Sequence, residues 1–204
     1  MTVTQIQSVT KTKFKVYLDE QFAFVLYKGE LSRYCIEEGV DLSQELFQKI
    51  KSEVILKRAK LRAMHLLNAM KRTEDQLRLK LKQGFYTDDI IEEVLKYVKS
   101  FGYVEDKGYA ERFIRNRQNV KSKRELYAAL CQKGISKEHI ESAMEQCYEA
   151  QDEKDAIRKI LEKKRFSLED STEEEKKKIY NYLLRKGFHY EDISQVIQVS
   201  CWNA

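Results

Sequence analysis

The feature that most constrains this chain is an apolar pattern around glycine that occurs three times. The three glycines, Gly84, Gly134 and Gly187, lie 50 and 53 residues apart, and each is followed directly by a hydrophobe. A period of this length predicts tandem helical modules, each too small to bury its apolar face without a neighbour. We therefore expect about three three-helix repeats, stacked into an elongated and curved array.

Apolar stripes on both sides of each glycine predict a helix, a reversal and a second helix. Six residues after each glycine, an isoleucine opens a stripe with helical period. Upstream, apolar residues lie eight and four positions before Gly134 and Gly187, but seven and three positions before Gly84. Glycine reaches positive φ without steric cost, so we expect each of these glycines to end a helix in that conformation.

The N-terminal residues have a different period. Apolar residues alternate with polar ones over 14–18 and again over 22–26, which is the pattern of a β-hairpin, and residues 3–9 are a candidate third strand. A short helix is predicted over Glu30–Glu38, ended by Gly39. One long helix, or two abutting helices, is predicted over 43–71.

Composition agrees with a mainly α fold, because the chain has no proline, seven glycines and many strong helix formers. The predicted organisation is a β-rich segment with a short helix, then a first repeat with its lead-in helix, a second repeat and a third repeat. In the same order these segments are residues 1–42, 43–104, 105–150 and 151–204.

Motifs for catalysis, nucleotide binding or metal binding are absent from the sequence, and its three histidines are scattered. We expect no enzymatic activity and no cofactor. The four cysteines form no C-x-x-C pair, and Cys131 and Cys147 are predicted to be buried structural thiols. The longest wholly apolar run has six residues, against the roughly 20 of a membrane span. A reduced, cytoplasmic, monomeric protein is expected.

Charged residues are sorted into blocks although the net charge is only +5. Residues 55–72 and 112–124 each contain six bases and no acid, and residues 158–165 contain five bases against one acid. One interpretation is that these blocks are solvated helix faces. The other is that they form a stripe that follows a phosphate backbone or an acidic protein groove.

Candidate binding residues come from these blocks and from the loop that precedes the second one. Arg115 and Arg117 point to different sides of a helix, so not every base can join one stripe. The candidates for contact with a partner or DNA are Lys57, Arg58, Arg62, Arg72, Tyr103, Asp106, Tyr109, Arg112, Arg115, Arg117, Lys121, Lys123, Arg124, Lys163 and Arg165.

Aromatic and acidic residues near residue 100 have two interpretations each. The aromatic residues are able to stack on bases, but their spacing favours a core between helices, with Tyr103 and Tyr109 the most exposed. This set is Tyr97, Phe101, Tyr103, Tyr109 and Phe113. The acidic pairs at 88–89 and 105–106 stand where helices should begin, which favours capping over a metal or acid–base site.

The segment Gly102–Ile114 contains a glycine, an aromatic residue and a hydrophobe, then two acids, an aromatic residue before alanine, and an arginine-bearing helix. In this pattern it resembles the RecX family, bacterial regulators of the RecA recombinase. A basic helix rich in alanine and leucine upstream and the Lys-Gly-Ile sequence at 133–135 also fit. The resemblance covers about residues 55–200, and the N-terminal β segment is similar to that of Gram-positive members. Departures are Glu105, Gly108 and Ser122.

The resemblance implies a negative regulator that lies in the helical groove of the RecA–DNA filament. Such a protein hinders filament extension and lowers ATP hydrolysis, strand exchange and the co-protease activity that triggers the SOS response. Expected partners are the RecA filament and, more weakly and in a salt-dependent way, single- and double-stranded DNA. Two alternatives remain open: a stand-alone DNA-binding helical-repeat module, and a general protein-interaction solenoid.

Overall fold

The computed structural model of the chain describes residues 1–167 and 170–197. It divides into two compact units, unit 1 from Met1 to Val104 and unit 2 from Glu105 onward. Among the described helices, none is both long and apolar enough to cross a membrane. Within the same two ranges, no group of His, Cys, Asp and Glu side chains is arranged to hold a metal ion.

Unit 1 begins with a three-stranded antiparallel sheet in the order β1-β2-β3. The strands are β1 (Val3–Ser8), β2 (Lys13–Leu18) and β3 (Gln21–Tyr27). Asp19 and Glu20 join β2 to β3 with φ values of 47° and 67°, the backbone of a tight hairpin turn. Val16 lies opposite Phe24, and both are buried, as the alternating pattern predicts. The predicted hairpin and third strand are confirmed.

The helix predicted over Glu30–Glu38 has different bounds. Helix α1 spans Lys28–Arg33, so it begins two residues earlier and ends five residues earlier. The chain leaves the helix at Cys35, which has a φ of 52°, and Ile36 then enters the core with 3% of its surface exposed. Gly39 has positive φ but belongs to the following turn, where its amide donates to the Val3 carbonyl at 2.8 Å. Burial of Ile36 and pairing with β1 therefore end the helix early.

A continuous helical rod follows, as predicted for residues 43–71. It consists of α2 (Gln44–Lys49), a π-helical segment (Ile50–Leu56) and α3 (Lys57–Ala69), and the Ser43 hydroxyl accepts from the Leu46 amide at its start. Ile50 and Ile55 are both buried although they are five residues apart. The wider π turn keeps this five-residue spacing on one face, which an α-helix would not do.

Three three-helix domains complete the chain and confirm a mainly α fold with tandem repeats. They are α3, α4 (Glu74–Gln83) and α5 (Asp88–Ser100); α6 (Asp106–Arg115), α7 (Lys123–Cys131) and α8 (Lys137–Cys147); and α9 (Ala150–Lys163), α10 (Glu173–Arg185) and α11 (Tyr190–Ile197).

The glycine prediction is confirmed in two domains and wrong in the first. Gly134 and Gly187 have φ values of 76° and 85°, whereas Gly84 has a φ of −82° and Phe85 takes the left-handed conformation at 63°. The amide after each left-handed residue donates to the carbonyl five positions back, at 3.3, 3.3 and 3.2 Å. Counted from Phe85, the leucines of α4 lie eight and four residues upstream, so the register of the repeat is restored.

Each domain has its own cluster of buried apolar residues, and the first cluster also includes the sheet. Val16, Leu26, Leu77 and Ile91 belong to this shared core with none of their surface exposed. The sheet therefore packs with the first three-helix domain as one unit. The division into residues 1–42, 43–104, 105–150 and 151–204 stays a prediction.

Candidate partner-binding interface

The start of α6 is fixed by an acidic cap. Glu105 is the N-cap residue, and its carboxylate accepts from the Gly108 amide at 2.6 Å. A Cβ at position 108 would lie 2.2 Å from the same carboxylate oxygen. Glu105 and Gly108, two of the three departures from the family pattern, thus fit each other, because the Glu105 side chain occupies the space that a side chain at position 108 would need. Asp106, half-buried, follows in the first turn of α6.

One face of α6 is buried, so its arginines lie on the other face. Ala110, Phe113 and Ile114 are in the core of the second domain, while Arg112 and Arg115 are exposed. The Arg115 guanidinium lies 3.7 Å from the Glu111 carboxylate, and 59% of the Arg115 side chain is accessible. A surface pair of this kind contributes roughly 0.3–0.5 kcal/mol. The arginine is therefore available to a partner.

Cations also gather around an aromatic pair at the end of α6. The rings of Tyr109 and Phe113 stack with their centroids 6.4 Å apart. Arg117 lies 4.2 Å from the Phe113 centroid and Lys133 lies 5.5 Å from it. Tyr109 is half-buried against the second core rather than strongly exposed. This arrangement holds Arg117 on the protein surface in a defined position.

The other aromatic predictions have mixed outcomes. Phe113 is buried, with 8% of its surface exposed, as predicted for a core residue. Phe101 is 61% exposed, so its predicted place in the core was wrong. Tyr103 is 43% exposed, as predicted, and stacks on Phe101 with a centroid distance of 6.0 Å. Both rings follow the last turn of α5, where no described element of unit 1 covers them fully.

Ser122 has a role that its sequence position concealed. Its side chain is completely buried, its hydroxyl accepts from the Glu125 amide at 3.1 Å, and it donates to the Lys186 carbonyl at 2.6 Å. The first bond caps α7, and the second joins the second domain to the turn between α10 and α11. The sequence indicated only a helix start, because a hydroxyl followed three residues later by an acid is a capping signal.

Glu153 completes this joint between the second and third domains. Its side chain is 4% exposed, accepts from the Tyr148 hydroxyl, and lies 3.3 Å from the Lys123 amide, which donates to it. Burial, together with the hydrogen bond to Glu153, raises the pKa of the Tyr148 hydroxyl far above its ordinary value. On the same joint, Lys186 and Glu125 form an ion pair at 3.0 Å, which raises the lysine pKa.

The basic residues around this joint differ in exposure. Lys123 and Arg124 are exposed at the start of α7, and Lys121 is half-buried. The aliphatic part of Arg124 packs against Gly187, where an added Cβ would lie 2.9 Å from it. In the third domain, Lys163 and Arg165 are exposed at the end of α9.

The first basic block is divided between structural and exposed cations. Arg58 forms an ion pair with Glu30 and donates to the Val25 carbonyl at 3.0 Å, so it holds β3 and α1 against α3. Arg72 donates to the Leu66 carbonyl at 3.3 Å. Lys57 and Arg62 are exposed. We therefore assign Arg58 mainly to the stability of unit 1.

The cysteine prediction is half right. Cys147 is buried, with 8% of its surface exposed, but Cys131 and Cys35 are exposed. Cys131 was expected to be buried because it follows Leu130, yet consecutive helical residues lie about 100° apart, so the neighbour of a core residue can face solvent. Cys201 lies outside the described residues.

Comparisons with known proteins fit these domains. Family models for the first, second and third three-helix domains of RecX match residues 59–97, 106–144 and 151–197. The chain is 31% identical to regulatory protein RecX of Caldanaerobacter subterraneus subsp. tengcongensis over 202 residues, which are 98% of this chain and 100% of the relative.

Solved structures show the same architecture. The crystal structure of RecX from Lactobacillus salivarius is 26% identical with a TM-score of 0.58, over 70% of this chain and 94% of that one. Another crystal structure of regulatory protein RecX has a TM-score of 0.65 at 23% identity, over 97% and 99% of the two chains, and supports the fold. Three matched domains and a relative aligned along its full length show that this chain belongs to the RecX family of regulatory proteins.

Proposed function

We propose that this protein is a negative regulator of the RecA recombinase. It binds in the groove of the RecA–DNA filament and hinders extension of the filament. It thereby lowers ATP hydrolysis, strand exchange and co-protease activity, and so acts on homologous recombination, DNA repair and the SOS response. Membership of the RecX family supports this proposal. The mechanism is steric and electrostatic, because binding alone changes the filament and no bond of the partner is broken.

The observation that carries the proposal is the exposed charge of residues 112–124. Among the described residues, Arg115 is the base of this segment that forms an ion pair, and its pair with Glu111 is weak. Arg112, Lys123 and Arg124 are exposed without a carboxylate partner among the described residues. Cations left unpaired on a rigid helical surface attract phosphates or acidic protein groups. A filament groove offers both.

An ATPase assay tests the proposal. RecA hydrolyses ATP on single-stranded DNA, and substoichiometric amounts of this protein are added. We expect the rate to fall. The variant Arg115→Glu/Arg117→Glu should need a roughly tenfold higher concentration for the same inhibition, if each reversal removes about 0.7 kcal/mol of interaction. Its circular dichroism spectrum should match that of the unchanged protein.

A charge-matched control separates a local contact from a change in net charge. Lys137 and Lys178 are exposed in the same unit and lie outside residues 112–124. Lys137→Glu/Lys178→Glu changes the net charge equally and should inhibit nearly as well as the unchanged protein. If Arg115→Glu/Arg117→Glu inhibits normally, those arginines do not contact the filament.

Binding to bare DNA distinguishes the proposal from its alternatives. Tight binding to bare DNA without any effect on the ATPase would favour a stand-alone DNA-binding module. If the protein neither binds bare DNA nor changes the ATPase rate, the result favours a protein-interaction solenoid. With duplex DNA as the partner, the log–log salt slope should be roughly −0.9 per phosphate neutralised, so a flat salt response would exclude an electrostatic contact with the duplex.

A further inference from the structure

Unit 1 contains a cavity of about 720 Å³ between the sheet, α3 and the turn after α4. This volume is typical of ligand-binding clefts in proteins. Its walls include Lys13, Tyr27, Arg58, Arg62, Lys80 and Phe85. Neither the sheet nor the first three-helix domain supplies the walls alone, so the cavity exists only because the two share one core.

The cavity is electropositive. Lys13, Arg58, Arg62 and Lys80 line it, and the described residues that line it include no carboxylate. Arg58 is neutralised by Glu30 and stacks on the Tyr27 ring, 4.6 Å from its centroid, which makes it a fixed wall. Arg62 and Lys80 are exposed, and neither forms an ion pair with a described residue, although Lys80 donates to the neutral Gln83 side-chain oxygen at 3.1 Å. These two cations remain available to an anionic ligand.

Phe85 adds an aromatic ring at an unusual backbone position. Its φ of 63° is unfavourable for a bulky side chain, and glycine occupies the equivalent positions of the other two domains, Gly134 and Gly187. The residue is nevertheless 38% exposed at the cavity, and Lys15 lies 4.4 Å from its ring centroid. Backbone strain of this kind is concentrated at binding and active sites. The first domain thus places an aromatic ring where its sister domains have none.

We propose that this cleft binds a short single-stranded polynucleotide. Arg62 and Lys80 contact its phosphates, and the Phe85 ring stacks on a base. Cations combined with an accessible aromatic ring are the usual means of binding single strands without sequence preference. An acidic peptide would satisfy the cations but would leave the aromatic ring without a flat partner. The inference goes beyond the proposed function, since it gives the N-terminal sheet a binding role and requires no recombinase.

Charge-neutralising variants test the phosphate contacts. Fluorescence anisotropy follows a fluorescein-labelled oligo-dT titrated with the full chain at several salt concentrations. We expect Arg62→Gln/Lys80→Gln to weaken binding about tenfold and to reduce the log–log salt slope by about 1.4, or roughly 0.7 per phosphate of a single strand. The control Lys49→Gln/Lys96→Gln changes two exposed lysines of unit 1 outside the cavity and should weaken binding by about twofold at most.

A second pair of variants tests the stacking contact. Phe85→Tyr keeps an aromatic ring, whereas Phe85→Leu keeps an apolar side chain of similar size at the same strained backbone position. Stacking of one base on an aromatic ring corresponds to a roughly 5- to 150-fold change in affinity. We expect Phe85→Leu to lose at least fivefold and Phe85→Tyr to bind as the unchanged protein does. Circular dichroism and the melting temperature verify that each variant is folded.

Several results would overturn the inference. The inference is excluded if the unchanged protein does not bind oligo-dT at low salt. It is also excluded if Arg62→Gln/Lys80→Gln and Lys49→Gln/Lys96→Gln lose the same amount of affinity for oligo-dT. Normal binding by Phe85→Leu would remove the stacking contact. Displacement of the oligonucleotide by polyglutamate but not by unlabelled oligo-dT would assign the cleft to an acidic peptide. The RecA ATPase assay measures ATP hydrolysis, whereas anisotropy measures oligonucleotide binding. Failure of the regulator hypothesis is therefore distinguished from failure of the cleft hypothesis.

Discussion

Replacing Ser122 by alanine removes two hydrogen bonds from a side chain that is completely buried. Loss of the cap on α7 costs about 1 kcal/mol. The Lys186 carbonyl also loses a donor at 2.6 Å in a water-poor joint, which costs roughly 1–3 kcal/mol. We therefore expect Ser122→Ala to lower the free energy of unfolding of unit 2 by about 2–4 kcal/mol in total.

Ser136→Ala is the matched control. Ser136 caps α8 in the same domain by accepting from the His139 amide at 3.4 Å, but it is exposed and its hydroxyl makes no interdomain bond among the described residues. This variant should cost only about 0.5–1 kcal/mol. The difference between the two substitutions reports on the buried bond from Ser122 to Lys186, because residue type, capping role and domain are the same while burial and the second bond differ.

Urea unfolding followed by circular dichroism measures the two losses. With an m-value of about 1.5 kcal/mol per molar, the midpoint should fall by roughly 1–3 M for Ser122→Ala and by about 0.5 M for Ser136→Ala. Hydrogen–deuterium exchange should increase in peptides around Lys186 for the first variant alone. Equal midpoint shifts, or unchanged exchange near Lys186, would refute the claim that Ser122 holds the second and third domains together.

Two further predictions concern ionisation and thiol reactivity. Burial tends to raise the pKa of Asp89, but its ion pair with Lys51 outweighs this and holds the pKa below its ordinary value. The ionised Asp89 carboxylate therefore stabilises the fold fully above about pH 4, and this stabilisation is lost at lower pH. Asp89→Asn should lower the free energy of unfolding by under about 1 kcal/mol at pH 6 and by less at pH 3. In a Cys35→Ser/Cys201→Ser background, which leaves Cys131 and Cys147 as the two thiols, Cys131 should react rapidly with a thiol reagent while Cys147 reacts at a rate limited by unfolding; similar rates would contradict their difference in burial.

Local patterns in the sequence determined the fold class. The strand alternation around Val16 and Phe24, and the apolar stripes on both sides of each glycine, predict the sheet and the three repeats correctly. These features depend on a period of two or 3.6 residues and on where helix breakers stand, so they are visible without knowledge of any distant contact. The N-terminal segment and the helical rod after Ser43 were predicted for the same reason.

Contacts between distant residues decided the remaining features. The left-handed conformation of Phe85 is an exception with a local cause, since Leu77 and Leu81 lie seven and three residues before Gly84 and the register of the repeat is therefore kept by the next residue. Arg58, one base among six in its block, became a structural cation because Glu30 and the Val25 carbonyl surround it.

The sequence alone therefore determined which segments are helices and strands and where the bases are concentrated. Only the tertiary structure decided which bases stay available to a partner, that Ser122 joins two domains, and that the sheet and α3 enclose a basic cleft around Phe85. The physical reason is that periodicity and helix capping act over a few residues, whereas burial and charge pairing depend on groups that the fold brings together from far along the chain.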